Sequence, residues 1–302
     1  MSSSDQDTST LKQDAGLDEP LRRVAYEAGM LLGLEATREE QGYHRRRLTR
    51  AQYWLHGAGT VAGLLVRVTP VPPAAGAPTG TAARVRVLVG AGIGIDGLGR
   101  ELLVHETHCL DLADWLGAQD QGQLRDGFDD VSDVLTLRVS ARYQDCAVAA
   151  QPVLARKINL GTDAVQPSRI ADNVLLELAV EPPGTAARWR PWPLHPALDG
   201  ALTSREQAAR DALDPADPAL AWAPDLLNLR LRLLHLFDDD WHPPELLPEL
   251  VERARLPLAR LRIATADPAA IADSLTAAMV SVDNLSRPFL PTAAQLAYLA
   301  SV

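Results

Sequence analysis

The chain is poor in cysteine and aromatic side chains, and positive charge is not in excess. Two cysteines among 302 residues, Cys109 and Cys146, cannot form a disulfide framework, and neither sits at metal-ligand spacing from other ligating residues. A reducing, cytoplasmic setting is therefore expected. The net charge of −10 argues against nucleic acid as a partner, because a phosphate backbone needs a concentrated positive surface. Aromatics make up only 5 % of the chain, so the basic run HRRRLTR has no stacking platform beside it. No apolar run reaches the roughly 18 residues of a membrane span. The opening MSSSDQDTSTLKQDAG lacks the apolar core of a signal peptide, and residues 1–20 are expected to form a mobile tail or arm. Catalytic signatures are missing as well. There is no G-x-S-x-G, no H-E-x-x-H and no phosphate-binding loop, and GAGIGIDG does not open a helix. The seven histidines are scattered. Only His105-x-x-His108-Cys109 is clustered, and along a strand positions 105 and 108 point to opposite faces. No catalytic residue, cofactor or metal ligand is assigned, and the chain is not expected to be an enzyme.

What is present is organised around residues 31–68, LLGLEATREEQGYHRRRLTRAQYWLHGAGTVAGLLVRV. Leu34, Gln41, Leu48 and Leu55 recur every seven residues, which predicts one long helix with a narrow stripe facing inward. Glu39, Glu40, Arg45, Arg46, Arg47 and Arg50 are left for solvent or a partner, and Arg45, Arg46 and Arg50 are the candidate interface. His56 and Gly57 supply the stop: glycine takes a positive φ without a Cβ clash, and the imidazole can meet the last free carbonyls. After Gly59 the pattern becomes β-favouring through Val61, Leu64, Leu65, Val66 and Val68.

Taken in order, TPVPPAAGAPTGT is a loop. RVRVLV then places Val85, Val87 and Val89 on one strand face and Arg84 and Arg86 on the other. AGIGIDGLGRELLV predicts a hairpin, with Asp96 to Gly99 as its turn and Arg100 entering the second arm. Residues 117–133 form a polar linker whose aspartates lack the register of a calcium loop. VLTLRVSAR is the cleanest strand, with Leu135, Leu137, Val139 and Ala141 on the apolar face. Residues 143–168 are expected to form a long contact-making loop before the strand SRIADNVLLELAV. Prolines around Trp189 and Trp192 mark a boundary. Helices follow at residues 203–212, 224–237 (stripe Leu226, Leu229, Leu233, Leu236) and 244–255. LPLARLRIAT then returns to strand alternation, and a short helix capped by Thr292 ends the chain.

The residues from Gly29 to Leu64 resemble the N-terminal signature of a family of uncharacterised proteins encoded with contractile phage-tail-like injection systems, G-x-L-L-x-x-x-D-F-R-x-E-Q-x-Y-x-R-x-R-x-x-x-N-R-x-L-H-G-x-G-V-V-x-G-L. Gly29, Leu31 and Leu32 match its opening, Glu40, Gln41 and Tyr43 its middle. Leu55, His56, Gly57, Gly59, Gly63 and Leu64 match its close. The family often has Trp after His-Gly, where this chain has Ala58. Three further places are similar: Gly94, Asp96, Gly99, Arg100, Glu101 and Val104 in the hairpin; Arg169, Ile170, Glu177 and Leu178; and the ending V-D-N-x-x-R-P. Each has a structural character, since Asp-Gly and Gly-Arg are what a tight hairpin requires.

The fold expected is α+β: a mixed β domain with one long N-terminal helix and a smaller C-terminal helical region. The expected segments are a tail or arm over 1–20, the helix and β domain over 21–185, and a mainly helical region with a returning strand and terminal helix over 186–302. The resemblance implies a structural component of the injection particle, in the baseplate or another tail-associated part, assembled in the cytoplasm. It would touch other tail or baseplate proteins or its own copies in a ring. The rival readings are a particle-attached hydrolase or carbohydrate-binding β module, marked by a deep pocket with converging carboxylates, and an assembly chaperone absent from finished particles.

Overall fold

The structure, a computed structural model, describes residues 20–73, 75–76, 83–152, 165–184, 202, 204–221, 224–235 and 252–301. Residues 1–19 of the tail expected over 1–20, most of the Pro/Gly loop before Arg84, the connection around Trp189 and Trp192 and residues 244–251 of the helix expected over 244–255 lie outside these residues; Arg255 already belongs to a strand.

The elements run α1 (Leu34–His56), β1 (Gly59–Gly63), β2 (Val66–Val71), β3 (Arg84–Val89), β4 (Gly92–Ile95), β5 (Glu101–Val104), β6 (His108–Asp111), α2 (Leu112–Gly117), α3 (Gln121–Asp126), β7 (Phe128–Asp129), β8 (Val134–Pro152) and β9 (Val165–Val180). They continue with α4 (Ser204–Asp211), α5 (Pro224–His235), β10 (Arg255–Ala264), α6 (Ile271–Ser274), β11 (Val280–Asp283) and α7 (Ala293–Ser301). This is the mixed α+β fold expected. Strands β1, β4 and β5 form one antiparallel sheet, and β2, β3 and β6 a second. The third has the order β11-β10-β8-β7, with β9 continuing along the edge of β8 beyond β7.

The core follows the alternation in the sequence. Leu135, Leu137, Val139 and Ala141 of β8 are buried and pack with Leu256, Leu258, Leu261 and Ile263 of β10, while Val85, Val87 and Val89 turn inward from β3. The late strand β10 therefore returns to the middle of the largest sheet. Its Arg260 is buried and pairs with Glu181, Nε to Oε2 at 2.6 Å, so this charge enters the interior with its counter-ion. Glu177 accepts from Arg142 at 3.3 Å and Arg255 at 2.7 Å, bridging three neighbouring strands.

Four expectations are corrected. The helix starts at Leu34, after Gly33 as its N-cap. Residues 143–168 are no long loop: β8 runs on to Pro152 and pairs with β9 from Val165. Small and polar side chains such as Gln144, Asp145, Ala147 and Ala149 hide the strand signal, but the partner strand satisfies the backbone without any buried face. From Ala147 to Gln151 and from Val165 to Asn173 the ribbon is exposed. The polar linker contains α3, whose Asp120 accepts from Gly122 N–H at 2.8 Å and whose Leu124 is buried. In α5, Leu227 and Leu231 are buried, whereas Leu226, Leu229 and Leu233 of the expected stripe are exposed.

The helix stops at Gly57 with the positive φ expected, but with ψ −156°, so it is extended and not in the left-handed helical conformation. Gly57 has φ +80° and its N–H reaches Gln52 and Tyr53 carbonyls at 3.2 and 3.0 Å. At α7, Thr292 Oγ1 accepts from Gln295 N–H at 3.3 Å and Gln295 Oε1 accepts from Thr292 N–H at 2.7 Å, a reciprocal capping box.

Gly99, in the hairpin turn beneath α1, has φ +79°, and a Cβ there would lie 2.0 Å from the Thr49 carbonyl oxygen. Gly42, inside α1, has nothing within 4 Å of the corresponding position. Gly99→Ala is expected to destabilise by about 1–3 kcal/mol, while Gly42→Ala stabilises by about 0.5–1 kcal/mol. Guanidinium unfolding of both variants checks this; equal midpoints would mean that α1 does not sit on the turn.

Candidate functional site: an outward helix on a polar seat

The sequence-similar residues of β1, the hairpin and the C-terminal ending meet in space. β1 and the C-terminal ending form a clamp. Thr60 N–H donates to the Pro288 carbonyl and Leu290 N–H returns to the Thr60 carbonyl, both at 2.9 Å. This close approach leaves Gly59 flush against the backbone of Pro288 and Phe289. Gly63, at φ +68°, abuts the Ala91 carbonyl, which accepts from Leu64 N–H at 3.0 Å. Asn284 grips Val66 from both sides: its Oδ1 accepts from the Val66 N–H at 3.0 Å and its Nδ2 donates to the Val66 carbonyl at 2.9 Å. Arg287, 4 % exposed, donates from Nη1 to the Leu64 carbonyl at 2.6 Å and lies 5.3 Å from the Phe289 ring centre. Burial lowers its guanidinium below the usual range.

The hairpin turn forms the seat for α1. Asp96 is fully buried and accepts from Leu98 N–H, Arg100 N–H and Arg100 Nε at 2.9, 2.9 and 2.7 Å. Burial pushes its carboxyl upward against the pull of Arg100 and these donors. The Arg100 guanidinium then lies 5.2 Å from the centre of the Tyr143 ring. The Tyr143 hydroxyl stands 2.8 Å from Asp145 Oδ1 and 2.6 Å from Asp172 Oδ1, carboxylates that face each other across β8 and β9. Burial first, then these two carboxylates, raises the Tyr143 phenol well above its ordinary range. A cleft of about 340 Å³ lies between Arg45, Leu48 and Gln52 of the helix and Arg100, Tyr143 and Asp172 below.

This seat reverses the expected orientation of α1. Thr49 is its only buried residue, Arg45, Arg46 and Arg50 are half-buried, and Arg45 lines the clefts toward Tyr143 and Asp172. The candidate interface residues Arg45, Arg46 and Arg50 thus lie half-buried on the side of the helix nearer the body. Leu34, Leu48 and Leu55, assigned to the core, are 65 %, 59 % and 76 % exposed. The physical reason is the ground beneath: a backbone turn and carboxylates accept arginine stems and heads and a close Gly–Thr contact, not leucines. Residues 20–24 also run back along the helix, with Val24 N–H donating to Glu40 at 2.9 Å. His56 is exposed at the helix end.

A second apolar surface lies where α1 gives way to β1. A groove of about 590 Å³ is lined by Val61, Phe289, Leu290, Pro291, Tyr298 and Leu299, and no residue of α7 is buried. Among the described residues no three His, Cys, Asp or Glu side chains are placed to hold a metal ion, and no helix is long and apolar enough to cross a membrane. His105 and His108 are both exposed, with His105 outside the strands. Sequence reasoning missed Tyr143 and Asp145 because they were assigned to a loop, and Asp172 because it was placed in a strand with no partner to bring it to Tyr143. Asp283 and Asn284 read as a turn and Arg287 only as part of the terminal pattern; the one available signal is that a turn asparagine has a side chain able to bond backbone elsewhere.

No protein-family model matches the chain, and a search of curated proteins returned no match.

Raised in the folded state, the Tyr143 phenol contributes stability that is complete below the ordinary tyrosine value of about 10 and is lost as pH rises through and above it, since the unfolded phenol then ionises first. Tyr143→Phe removes this dependence. The stability gap between wild type and variant should narrow between about pH 8 and about pH 11. Chemical denaturation at the two pH values measures it, and an unchanged gap would contradict the geometry.

Proposed function

We propose that the chain is a structural component of a contractile phage-tail-like injection system, in the baseplate or another tail-associated part, working through protein–protein contacts. The observation that carries this reading is the exposed stripe of Leu34, Leu48 and Leu55 on the flank of a helix that rests on the body through Thr49. A row of exposed leucines along one helix is costly for a protein that acts alone and is ordinary for one covered by neighbours. The exposed β8–β9 ribbon and the α7 groove supply further contact area of the same kind. The resemblance of the helix-to-strand stretch, the hairpin and the ending adds to it, because these residues build one frame that keeps the helix in place.

A hydrolase reading is served less well. Asp145 and Asp172 do line a cleft of about 630 Å³, but both converge on the hydroxyl of Tyr143 instead of standing apart as an acid and a base around a substrate. An assembly chaperone would leave before the particle is complete, so mass spectrometry of purified particles separates that alternative.

The triple variant Leu34→Ser, Leu48→Ser, Leu55→Ser tests the proposal. Its circular dichroism spectrum and thermal midpoint should match wild type, because these side chains bury little. Its signal in immunoblots of sedimented particles should be lost. A folded variant incorporated at wild-type level would sink the assembly reading of this face.

A further inference from the structure

The exposed residues of α1 have a regular spacing. Leu34, Gln41, Leu48 and Leu55 occupy one position of a heptad, and Thr37, His44 and Ala51 fall three residues after the first three of them; all are exposed. Together they form an uninterrupted seam with the 3.5-residue period of a two-helix contact. The small side chains of Thr37 and Ala51 leave room for a close partner. The seam runs along a helix of 23 residues, about 34 Å at 1.5 Å per residue.

Charge along the helix identifies the occupant. The first half carries Glu35, Glu39 and Glu40 against one cation, Arg38, whereas the second half carries Arg45, Arg46, Arg47 and Arg50 and no acid. Of these, Glu35, Glu39 and Arg47 are exposed. We propose that the seam is covered by the α1 of a second copy of this chain, packed antiparallel about a twofold axis near His44. Antiparallel packing sets the acidic half of each helix beside the basic half of the other and brings Glu40 of each copy toward Arg47 of the other, twice by symmetry. Parallel packing sets like halves side by side. Glu40 accepts from the Val24 N–H at 2.9 Å and meets the His44 ring at 3.1 Å, while Arg47 donates to the Tyr43 hydroxyl at 2.8 Å on the side away from the seam; both charges occupy the position that borders the seam, and the pair across copies forms when Arg47 swings from Tyr43 toward it. Opposed charge of this kind fixes direction and register more than it adds affinity.

The inference rests on the same outward stripe as the assembly reading and names a partner for it, but its test uses the purified full chain and no particles. Analytical ultracentrifugation should show a monomer–dimer equilibrium that weakens as salt is raised. Leu48→Glu and Arg47→Glu should each weaken dimerisation by about tenfold or more with unchanged thermal midpoints, while Arg47→Lys retains it. Direction is read by spin labels in a Cys109→Ser, Cys146→Ser background. A label at His44→Cys should report a short inter-copy distance, and one at Glu35→Cys a distance longer by roughly 20 Å, from 1.5 Å per residue on each helix and about 10 Å between the helix axes. A chain that stays monomeric throughout the accessible concentration range overturns the proposal, as does a dimer in which the two labels give equal distances. Either result leaves the particle-incorporation experiment to decide the assembly reading on its own.

Discussion

The grip of Arg287 and Asn284 on the backbone of residues 63–66 is the constraint on which the rest of the molecule depends. β1 ends at a glycine and β2 begins three residues later in a different sheet, so the corner between them leaves backbone groups that neither sheet can pair. Side chains from more than 200 positions further along meet them: Arg287 takes the Leu64 carbonyl and Asn284 takes both groups of Val66. Each partner would be costly to lose, because a buried carbonyl or N–H without one forfeits about 1–3 kcal/mol. The same contact fixes the strand that follows α1 and the segment that leads into α7. It thus places the two exposed apolar surfaces on one frame.

A second constraint, the fully buried Asp96, sets how the helix faces. Its three N–H donors close the hairpin turn tightly enough for Gly99 to meet the Thr49 carbonyl, and its partner Arg100 carries the contact on to Tyr143. A helix placed on that ground buries backbone, threonine and arginine stems. Its leucines are left over, and an apolar stripe with no cover within its own chain is a binding surface in the making. Stability and availability for contact therefore come from neighbouring faces of one element.

Much of the β structure was legible in the sequence. Period-two alternation located β3, β8 and β10 and their buried faces, the Asp-Gly and Gly-Arg pattern located the β4–β5 hairpin, and Gly57 located the helix stop, because these signals depend only on local geometry. The helix itself was legible, but its orientation was not. A seven-residue leucine period says which side chains share a face, yet whether that face meets the core or a neighbour depends on what lies beneath, and the polar character of the seat arises only when Asp96, Tyr143 and Asp172 are brought together by pairing. The β8–β9 ribbon was missed for a related reason: strands with both faces in water need no apolar alternation. The clamp was visible as isolated letters, but nothing local says that Asn284 and Arg287 bond to a corner formed at the other end of the chain.

The central claim is that α1 stands on its arginine–threonine face and turns its leucines outward. Thiol accessibility measures this directly. In a background lacking Cys109 and Cys146, single cysteines at Leu48, Leu55 and Thr49 are alkylated in the native state, at a concentration low enough to favour the monomer. Rapid reaction at positions 48 and 55 with strong protection at 49 is the predicted result. Protection at 48 and 55 with a reactive 49 would mean that the helix buries its leucine stripe, and the account of the seat, the outward face and its use in assembly would fall together.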